Sequence, residues 1–194
     1  MVNLDVAWEF IRHYEGCESA FYQDSSGYVT YGCGNHALLS QAILLRWETQ
    51  GRDATDTEVE SDYKAVRAAP GGHVASWYRG YSRCRLGPDS IRKLFNDRVE
   101  EFTVSLRGCF PGYESMPPQV QLALLDMAFN LGIGKLLKDF PTFVKAIKLG
   151  HYDLAAKECH RQNPDPSVEK WDAISLHEQR QCKVRDMLLS AGPR

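Results

Sequence analysis

Three residues near the beginning of the chain, Glu15, Asp24 and Thr30, place two carboxyl groups and a hydroxyl within one short stretch. Such a set suits glycoside hydrolysis, where one carboxylic acid protonates the leaving oxygen and a second carboxylate acts as base or nucleophile on the opposite sugar face. The acid must stay protonated near neutral pH, which partial burial favours. The spacing alone is weak support, because an aspartate before Ser-Ser-Gly is also an ordinary turn residue.

A helix followed by a β-hairpin is expected to position these three residues. Apolar side chains recur at helical spacing between Asn3 and Tyr14, and Asn3 is placed to cap the helix. The aromatic and β-branched runs 20–23 and 28–31 are separated by a turn in which Gly27 is placed for a positive φ. The end of the helix, packed against this hairpin, brings the two carboxyl groups and the hydroxyl to one side of a cleft.

The rest of the chain is mostly helical by its periodicity, so the sequence predicts an α+β protein in a single domain, 1–194. We divide it into a catalytic hairpin lobe (1–37), an insertion or extra subdomain (38–86) and a helical lobe (87–194). The helix from Asp89 to Leu106 is expected to link the lobes. Further helices are predicted at 38–47, 55–69, 119–131, 142–149, 152–161 and 175–190.

Composition and charge exclude several classes of protein. Hydrophobic residues make up 43% of the 194 residues, enough for a core, which excludes disorder as the dominant state. The formal net charge of -2 argues against a nucleic-acid partner held by phosphate neutralisation. No window approaches the roughly 18 consecutive apolar residues of a membrane span, so no membrane insertion is expected. The first residues carry no basic segment, so we expect synthesis in the cytoplasm without a signal peptide.

The 6 cysteines include no CxxC pair, so most are expected to be buried or half-buried thiols, and the sequence leaves open whether any of them pair. One alternative function uses them as metal ligands: His13 with Cys17 and Cys33 with His36 could surround a zinc ion. Gly16 is expected to end the helix before Cys17 projects beside His13. Two short ligand pairs are usually coincidence, and we predict no metal and no cofactor.

Two stretches of the chain resemble a known family. The segment from Tyr14 to Gly34 resembles the active-site signature of phage-type lysozymes, the glycoside hydrolase family 24 of the T-even phage enzyme. The family pattern is E-G, a short run to an aromatic residue, then D, a turn glycine, a threonine and G-x-G, and every element is present in register. Residues 123–132 are similar to the central helix A-L-x-x-x-A-F-N-x-G, and 150–156 to the helix start G-x-(Y/W)-x-x-A-A. The resemblance covers about 12–34 and 88–190.

The resemblance implies a lysozyme-like fold, with a small N-terminal hairpin lobe, a helical C-terminal lobe and a cleft between them. It also implies a muramidase that cleaves the β-1,4 bond between N-acetylmuramic acid and N-acetylglucosamine in bacterial peptidoglycan without a cofactor. Glu15 matches the family's general acid, Asp24 its second carboxylate, and Thr30 the threonine that helps to hold the attacking water. The family inverts the anomeric carbon, so Asp24 is expected to assist a water molecule.

Five further residues are candidate substrate contacts. Phe129 matches a family position that lines the sugar cleft, although an ordinary core aromatic fits this position equally well. Tyr22 and Gly34 belong to the first motif. His177 and Arg180 lie in a C-terminal stretch that is only loosely similar to the G-x-x-x-R-R-x-x-E of one family branch.

The chain departs from the family pattern in two further places. The histidine that usually follows G-x-G is displaced by one position, to His36. Residues 38–86 are longer than the usual link between the hairpin and the following helix, and they are either a lid whose aromatic rings stack on sugars or an insertion with its own small core. We favour the second interpretation, because aromatic residues usually pack. The aromatic residues concerned are Trp47, Trp77, Tyr78 and Tyr81.

The biological role has several possible forms. A phage endolysin, a bacteriocin and a secreted antibacterial effector all fit, with peptidoglycan as the partner and, for an effector, an immunity protein or a delivery machinery. We expect a monomer that acts on the cell wall, in the periplasm of a host or target cell, after delivery by another system. The alternative is a catalytically silent lysozyme-like module that binds peptidoglycan, against which the intact set of Glu15, Asp24 and Thr30 argues.

Overall fold

The computed structural model describes residues 2–15, 17–159 and 176–192. The described chain forms two compact units, of which one is Glu15–Arg98 and the other comprises the remaining described residues. The boundary between the units falls within the helix Pro88–Cys109, which corresponds to the helix predicted to link the lobes. The chain is mostly helical with small antiparallel sheets, which confirms the predicted α+β, lysozyme-like class.

The elements alternate between short strands and helices in the first unit and are helical in the second. The strands are β1 (Glu18–Gln23), β2 (Val29–Gly32), β3 (Asn35–His36), β4 (Trp47–Thr49), β5 (Arg52–Asp53) and β6 (Arg85–Leu86). The α-helices are α1 (Leu4–Glu15), α2 (Leu39–Ala42), α3 (Asp56–Ala68), α4 (Pro88–Cys109), α5 (Pro118–Leu131), α6 (Ile133–Asp139), α7 (Pro141–Leu149), α8 (Tyr152–Glu158) and α9 (Leu176–Ser190). Ala75–Tyr81 and Tyr113–Ser115 are 3₁₀ helices.

Local signals account for the helix and the hairpin that begin the chain. The Asn3 carboxamide oxygen accepts the backbone N–H groups of Asp5 at 2.9 Å and Val6 at 3.2 Å, which is the predicted cap of α1. β1 and β2 pair antiparallel around the predicted turn, in which Gly27 has a φ of +79°. The prediction that Gly16 ends the helix lies outside the described residues.

A third strand, β3, was not predicted from the sequence. Gly32 and Gly34, with φ values of +57° and +78°, form a tight turn that returns the chain beside β2. The order of this sheet is therefore β1-β2-β3. Glycine adopts these backbone angles without the steric cost that a Cβ atom would bring.

Residues 38–86 contain one confirmed helix and one wrong prediction. The helix predicted at 55–69 is α3, where Thr55 and Glu58 form a capping box. The helix predicted at 38–47 is limited to α2, and Trp47 instead begins the central strand of the sheet β5-β4-β6. Tertiary packing explains the difference, because the Trp47 indole stacks on Phe21 with the ring centres 4.3 Å apart.

The hairpin and residues 38–86 share one hydrophobic core. Phe21 and Tyr31 from the hairpin sheet pack with Trp47 and Tyr78, so the insertion does not have the separate small core that we favoured. The Gln23 side-chain amide also donates to the carbonyl oxygen of Val66 at 2.6 Å, near the end of α3. These contacts support the hairpin from the side of the insertion.

The second unit is built around α5, which is buried on almost every side. Its prediction at 119–131 is confirmed, with Pro118 in the first turn where a missing N–H is harmless. Helix α6 was missed, while α7 and the described part of α9 match their predictions. Helix α8 ends at Glu158, and the predicted continuation to residue 161 extends outside the described residues.

Within the described residues, no single helix is long and apolar enough to cross a membrane. Helices α5 and α6 reach the required length and composition only as a pair, and the angle between them is 102°.

Candidate active site

The proposed catalytic residues lie in the same unit, at the end of a helix and in the hairpin sheet. Glu15 is the last residue of α1 and is half-buried, Asp24 is in the turn between β1 and β2, and Thr30 is in β2. Tyr22 in β1 and Gly34 in the turn before β3 belong to the same unit. Five of the eight predicted site residues are therefore carried by one compact unit.

The register of the sheet aligns three of its side chains. Thr30 pairs with Tyr22 on β1 and with His36 on β3. Residues directly opposite one another in antiparallel strands project from the same face of the sheet. Tyr22, Thr30 and His36 thus form a row across one face, with the hydroxyl of Thr30 in the middle.

The charges of both carboxylates act on the pKa of Tyr22, which belongs to this row. Burial and then the negative charge of Glu15 raise the pKa of Tyr22 to about 12, with smaller contributions from Asp24 and Glu18. A hydrogen bond from the Gly34 backbone N–H acts in the opposite direction. Tyr22 therefore carries its proton at every pH at which a protein of this kind works, and its hydroxyl lies within the electrostatic reach of Glu15 and Asp24.

Both oxygen atoms of Asp24 have defined neighbours. Oδ1 accepts the backbone N–H groups of Ser26 at 2.8 Å and Tyr28 at 2.9 Å. Oδ2 lies 3.1 Å from Nε2 of His36. Asp24 is thus the turn residue that the simpler interpretation described, and the same bonds hold its carboxylate in one orientation.

Thr30 is oriented by a hydrogen bond within the hairpin. Its hydroxyl donates to the carbonyl oxygen of Tyr28 at 3.0 Å, which leaves the acceptor side of the oxygen for a hydrogen of water. Thr30 is 1% exposed, so its side chain is almost entirely covered by the surrounding protein.

His36 was missed as a site residue. Sequence reasoning treated it only as a displaced family histidine and as a zinc ligand, whereas its ring stacks on Tyr28, with the ring centres 5.3 Å apart, and reaches Asp24. The signal that could have found it is the antiparallel register: a third strand after Gly34 places His36 opposite Thr30.

The pairing of the cysteines contradicts the zinc site considered as an alternative function. Cys17 and Cys33 form a disulfide, which takes away two of the four proposed ligands as thiolates and answers the open question of pairing. Three other cysteines are buried thiols and one is half-buried, as expected. No group of three or more His, Cys, Asp or Glu residues within the described parts of the chain could hold a metal ion.

The remaining candidates for substrate contact belong to the other unit. Phe129 is half-buried and packs on Phe102, with the ring centres 4.9 Å apart. Arg180 is buried and contacts the carboxylate of Asp126 through Nε at 3.0 Å and Nη2 at 2.8 Å. This burial favours a structural role for Arg180. His177 is in α9, but its side chain lies outside the described residues.

The aromatic residues of the insertion fall into two groups. Trp47 and Tyr78 are core residues, and neither is accessible to a sugar. Trp77 and Tyr81 are partly exposed, and Trp77 stacks on His73 with the ring centres 3.8 Å apart. Only this second group keeps an exposed surface.

Comparison with known proteins gives one match. The model of the family described as phage lysozyme matches residues 12–181, a range that covers most of the chain and includes all eight predicted site residues. No curated protein matches the chain.

Proposed function

The chain belongs to the phage lysozyme family, whose members hydrolyse peptidoglycan, and we propose that it cleaves the β-1,4 bond between N-acetylmuramic acid and N-acetylglucosamine. Family membership makes it a hydrolase of the bacterial cell wall. The proposal adds the particular bond, the stereochemical course and the roles of individual residues.

The observation that carries this proposal is that one compact unit holds Glu15 at the end of α1, Asp24 in the hairpin turn and Thr30 in β2. Thr30 lies directly opposite Tyr22 in the sheet, and the charges of Glu15 and Asp24 both raise the pKa of Tyr22. A glycosidase that inverts the anomeric carbon requires a proton donor, a base and a place for water between them.

In the proposed reaction, Glu15 donates its proton to the glycosidic oxygen while the bond from that oxygen to the anomeric carbon breaks. A water molecule adds to the anomeric carbon from the opposite face of the sugar, and Asp24 accepts the proton that this water loses. Thr30 accepts a hydrogen bond from the second hydrogen of the water. The proton on Asp24 then returns to solvent, and Glu15 is protonated again.

The remaining site residues have supporting roles in the proposal. Tyr22 is kept neutral by its raised pKa, and it offers a hydroxyl to the sugar or to Glu15. Gly34 presents its backbone at the same place. Contacts of Phe129, His177 and Arg180 with the substrate stay predictions, and the burial of Arg180 weighs against its contact.

The biological setting follows from the substrate. Peptidoglycan lies outside the cytoplasmic membrane, so the proposal requires delivery to the wall, as by a phage lysis system or by the secretion machinery of an antibacterial effector. An effector of this kind needs an immunity protein in the producing cell. We propose that the protein acts as a monomer, since one chain carries both carboxylates.

The test is digestion of purified peptidoglycan by the wild type and by Glu15→Gln, which removes the proton donor with almost no change in volume. We expect new N-acetylmuramic acid reducing ends from the wild type and a kcat lower by about 10²–10⁴-fold in the variant. Glu9→Gln is the matched control, because Glu9 is an exposed residue of the same helix. Wall binding without any reducing ends from the wild type would overturn the muramidase and support the silent binding module.

A further inference from the structure

The imidazole of His36 is held in place although most of it is exposed. Its side chain is 65% exposed, yet one ring face stacks on Tyr28 and Nε2 lies 3.1 Å from Oδ2 of Asp24. Tyr28 also supplies the backbone N–H that Oδ1 of Asp24 accepts. His36, Tyr28 and Asp24 therefore form one connected group at the edge of the row that contains Thr30.

We propose that His36 is a positioning residue for the reaction, whose Nε2 lies against Oδ2 of Asp24 and so orients the carboxylate toward the attacking water. The inference rests on the proposed function, because Asp24 is the base in that proposal. It adds a residue outside the three that match the family's catalytic motif.

The two carboxylate oxygens of Asp24 have different partners, and this difference explains why His36 can orient the carboxylate. Oδ1 accepts two backbone N–H groups and is occupied by the turn. Oδ2 is the oxygen against which Nε2 of His36 lies. Loss of the His36 ring leaves the carboxylate held through Oδ1 alone, so that Oδ2 can shift, and small misplacements of a catalytic group lower the rate substantially.

The backbone around His36 has supports that do not depend on its side chain. β3 pairs with β2 through Thr30 and Tyr31, and the disulfide between Cys17 and Cys33 closes the preceding turn. Replacement of the exposed ring is therefore expected to leave the fold and its thermal stability unchanged. A lower turnover in such a His36 variant can then be attributed to the altered position of the Asp24 carboxylate.

Two substitutions of His36 distinguish the effect of side-chain length from the effect of side-chain polarity. In His36→Gln the side-chain nitrogen extends about as far as Nε2 of histidine, whereas in His36→Asn it stops near the position of Nδ1. We expect His36→Asn to lower kcat by about 10-fold with KM within about twofold of the wild type, and His36→Gln to recover most of this loss. His151→Asn, at an exposed histidine of the other unit, is the matched control.

Equal kcat values for the wild type and His36→Asn, or equal losses in the Asn and Gln variants, would overturn the inference. A second measurement does not depend on turnover: nitrogen–proton correlation spectra of isotope-labelled histidines in the wild type and in Asp24→Asn. We expect the Nε2 resonance of His36 to shift in Asp24→Asn and not in Asp53→Asn, which changes an exposed carboxylate. An unchanged resonance would refute the contact even if the protein proved not to be a muramidase.

Discussion

The hydroxyl of Thr30 donates a hydrogen bond to the carbonyl oxygen of Tyr28, 3.0 Å away and two residues earlier in the chain. The same carbonyl oxygen accepts the backbone N–H of Asp24 at 3.0 Å. One carbonyl group therefore orients the residue proposed to hold the water and also closes the turn that carries the proposed base. The role of the Thr30 hydroxyl in the reaction can therefore be tested separately from its contribution to stability.

Thr30→Val is expected to lower kcat by about 10- to 100-fold, because valine keeps the shape of threonine and removes the acceptor for water. The free energy of unfolding should fall by no more than about 1 kcal/mol, because the Tyr28 carbonyl keeps its bond from Asp24. Turnover of labelled peptidoglycan and urea unfolding measure the two effects. Thr30→Ser is the control that keeps the hydroxyl, and a fully active Thr30→Val would exclude Thr30 from the reaction.

The raised pKa of Tyr22 predicts a pH dependence of stability. The folded-state pKa is about 12, above the ordinary value of 10.0, because burial and Glu15 both disfavour the phenolate. The neutral phenol therefore contributes stability that is fully present below about pH 10 and is lost as the pH rises toward 12. Across this pH range, the free energy of unfolding should fall less in Tyr22→Phe than in the wild type.

Thermal unfolding of the wild type and Tyr22→Phe at intervals between neutral pH and pH 12 measures this difference. Tyr81→Phe, which removes a partly exposed phenol of the same unit, is the matched control. Parallel stability curves for the wild type and Tyr22→Phe would show that the phenol is not the group responsible.

The disulfide between Cys17 and Cys33 joins the start of β1 to the turn that follows β2, with a sequence separation of 16. A loop of this size is expected to contribute about 3 kcal/mol to the free energy of unfolding. The double variant Cys17→Ser/Cys33→Ser should therefore unfold at a lower temperature and lose activity, since this turn also carries Gly34.

Thermal unfolding with and without a thiol reductant tests the disulfide. The reductant should lower the unfolding temperature of the wild type and leave that of the double variant unchanged. Cys109→Ser, at a half-buried free thiol, is the control and should respond to the reductant as the wild type does. A wild type that is insensitive to full reduction would contradict the assigned stabilisation.

The buried pair of Arg180 and Asp126 predicts an effect on stability rather than on substrate affinity. Replacing Arg180 by methionine leaves the Asp126 carboxylate buried without this partner, which is expected to cost about 3 kcal/mol or more. Urea unfolding measures the cost. Arg185→Met on the same helix is the control, because its ion pair with Asp186 is partly exposed and is expected to contribute about 1 kcal/mol or less.

A raised KM for Arg180→Met with an unchanged free energy of unfolding would contradict this structural role and restore the substrate contact suggested by the sequence. A lower free energy of unfolding with an unchanged KM would place Arg180 in the support of α5.

Short-range signals account for the parts of the molecule that the sequence predicted well. The cap at Asn3, the turn glycine at 27 and the beginning of the helix predicted at 55–69 each depend on residues a few positions apart. The motif with Glu15, Asp24 and Thr30 lies within one helix end and one hairpin, so its grouping in one unit could be anticipated from the chain itself. Helical periodicity likewise identified α4, α5 and α7.

Tertiary structure decided the features that join distant or non-periodic segments. Trp47 is in a strand because its indole stacks on Phe21, and no local pattern records that contact. Arg180 has a buried partner 54 residues away, and the pairing of Cys17 with Cys33 depended on the register of β1 against β2, in which Glu18 lies opposite Gly32. A carboxylate, an arginine or a thiol shows its chemistry in the sequence, but its partner is selected by packing.

The same distinction applies to the site. Residue types and the resemblance to the phage lysozyme motif indicated which groups could act as acid, base and water holder. The third strand determined that His36 lies opposite Thr30 and beside Asp24, because strand pairing is a property of the folded sheet and one change of register would have sent the imidazole to the other face.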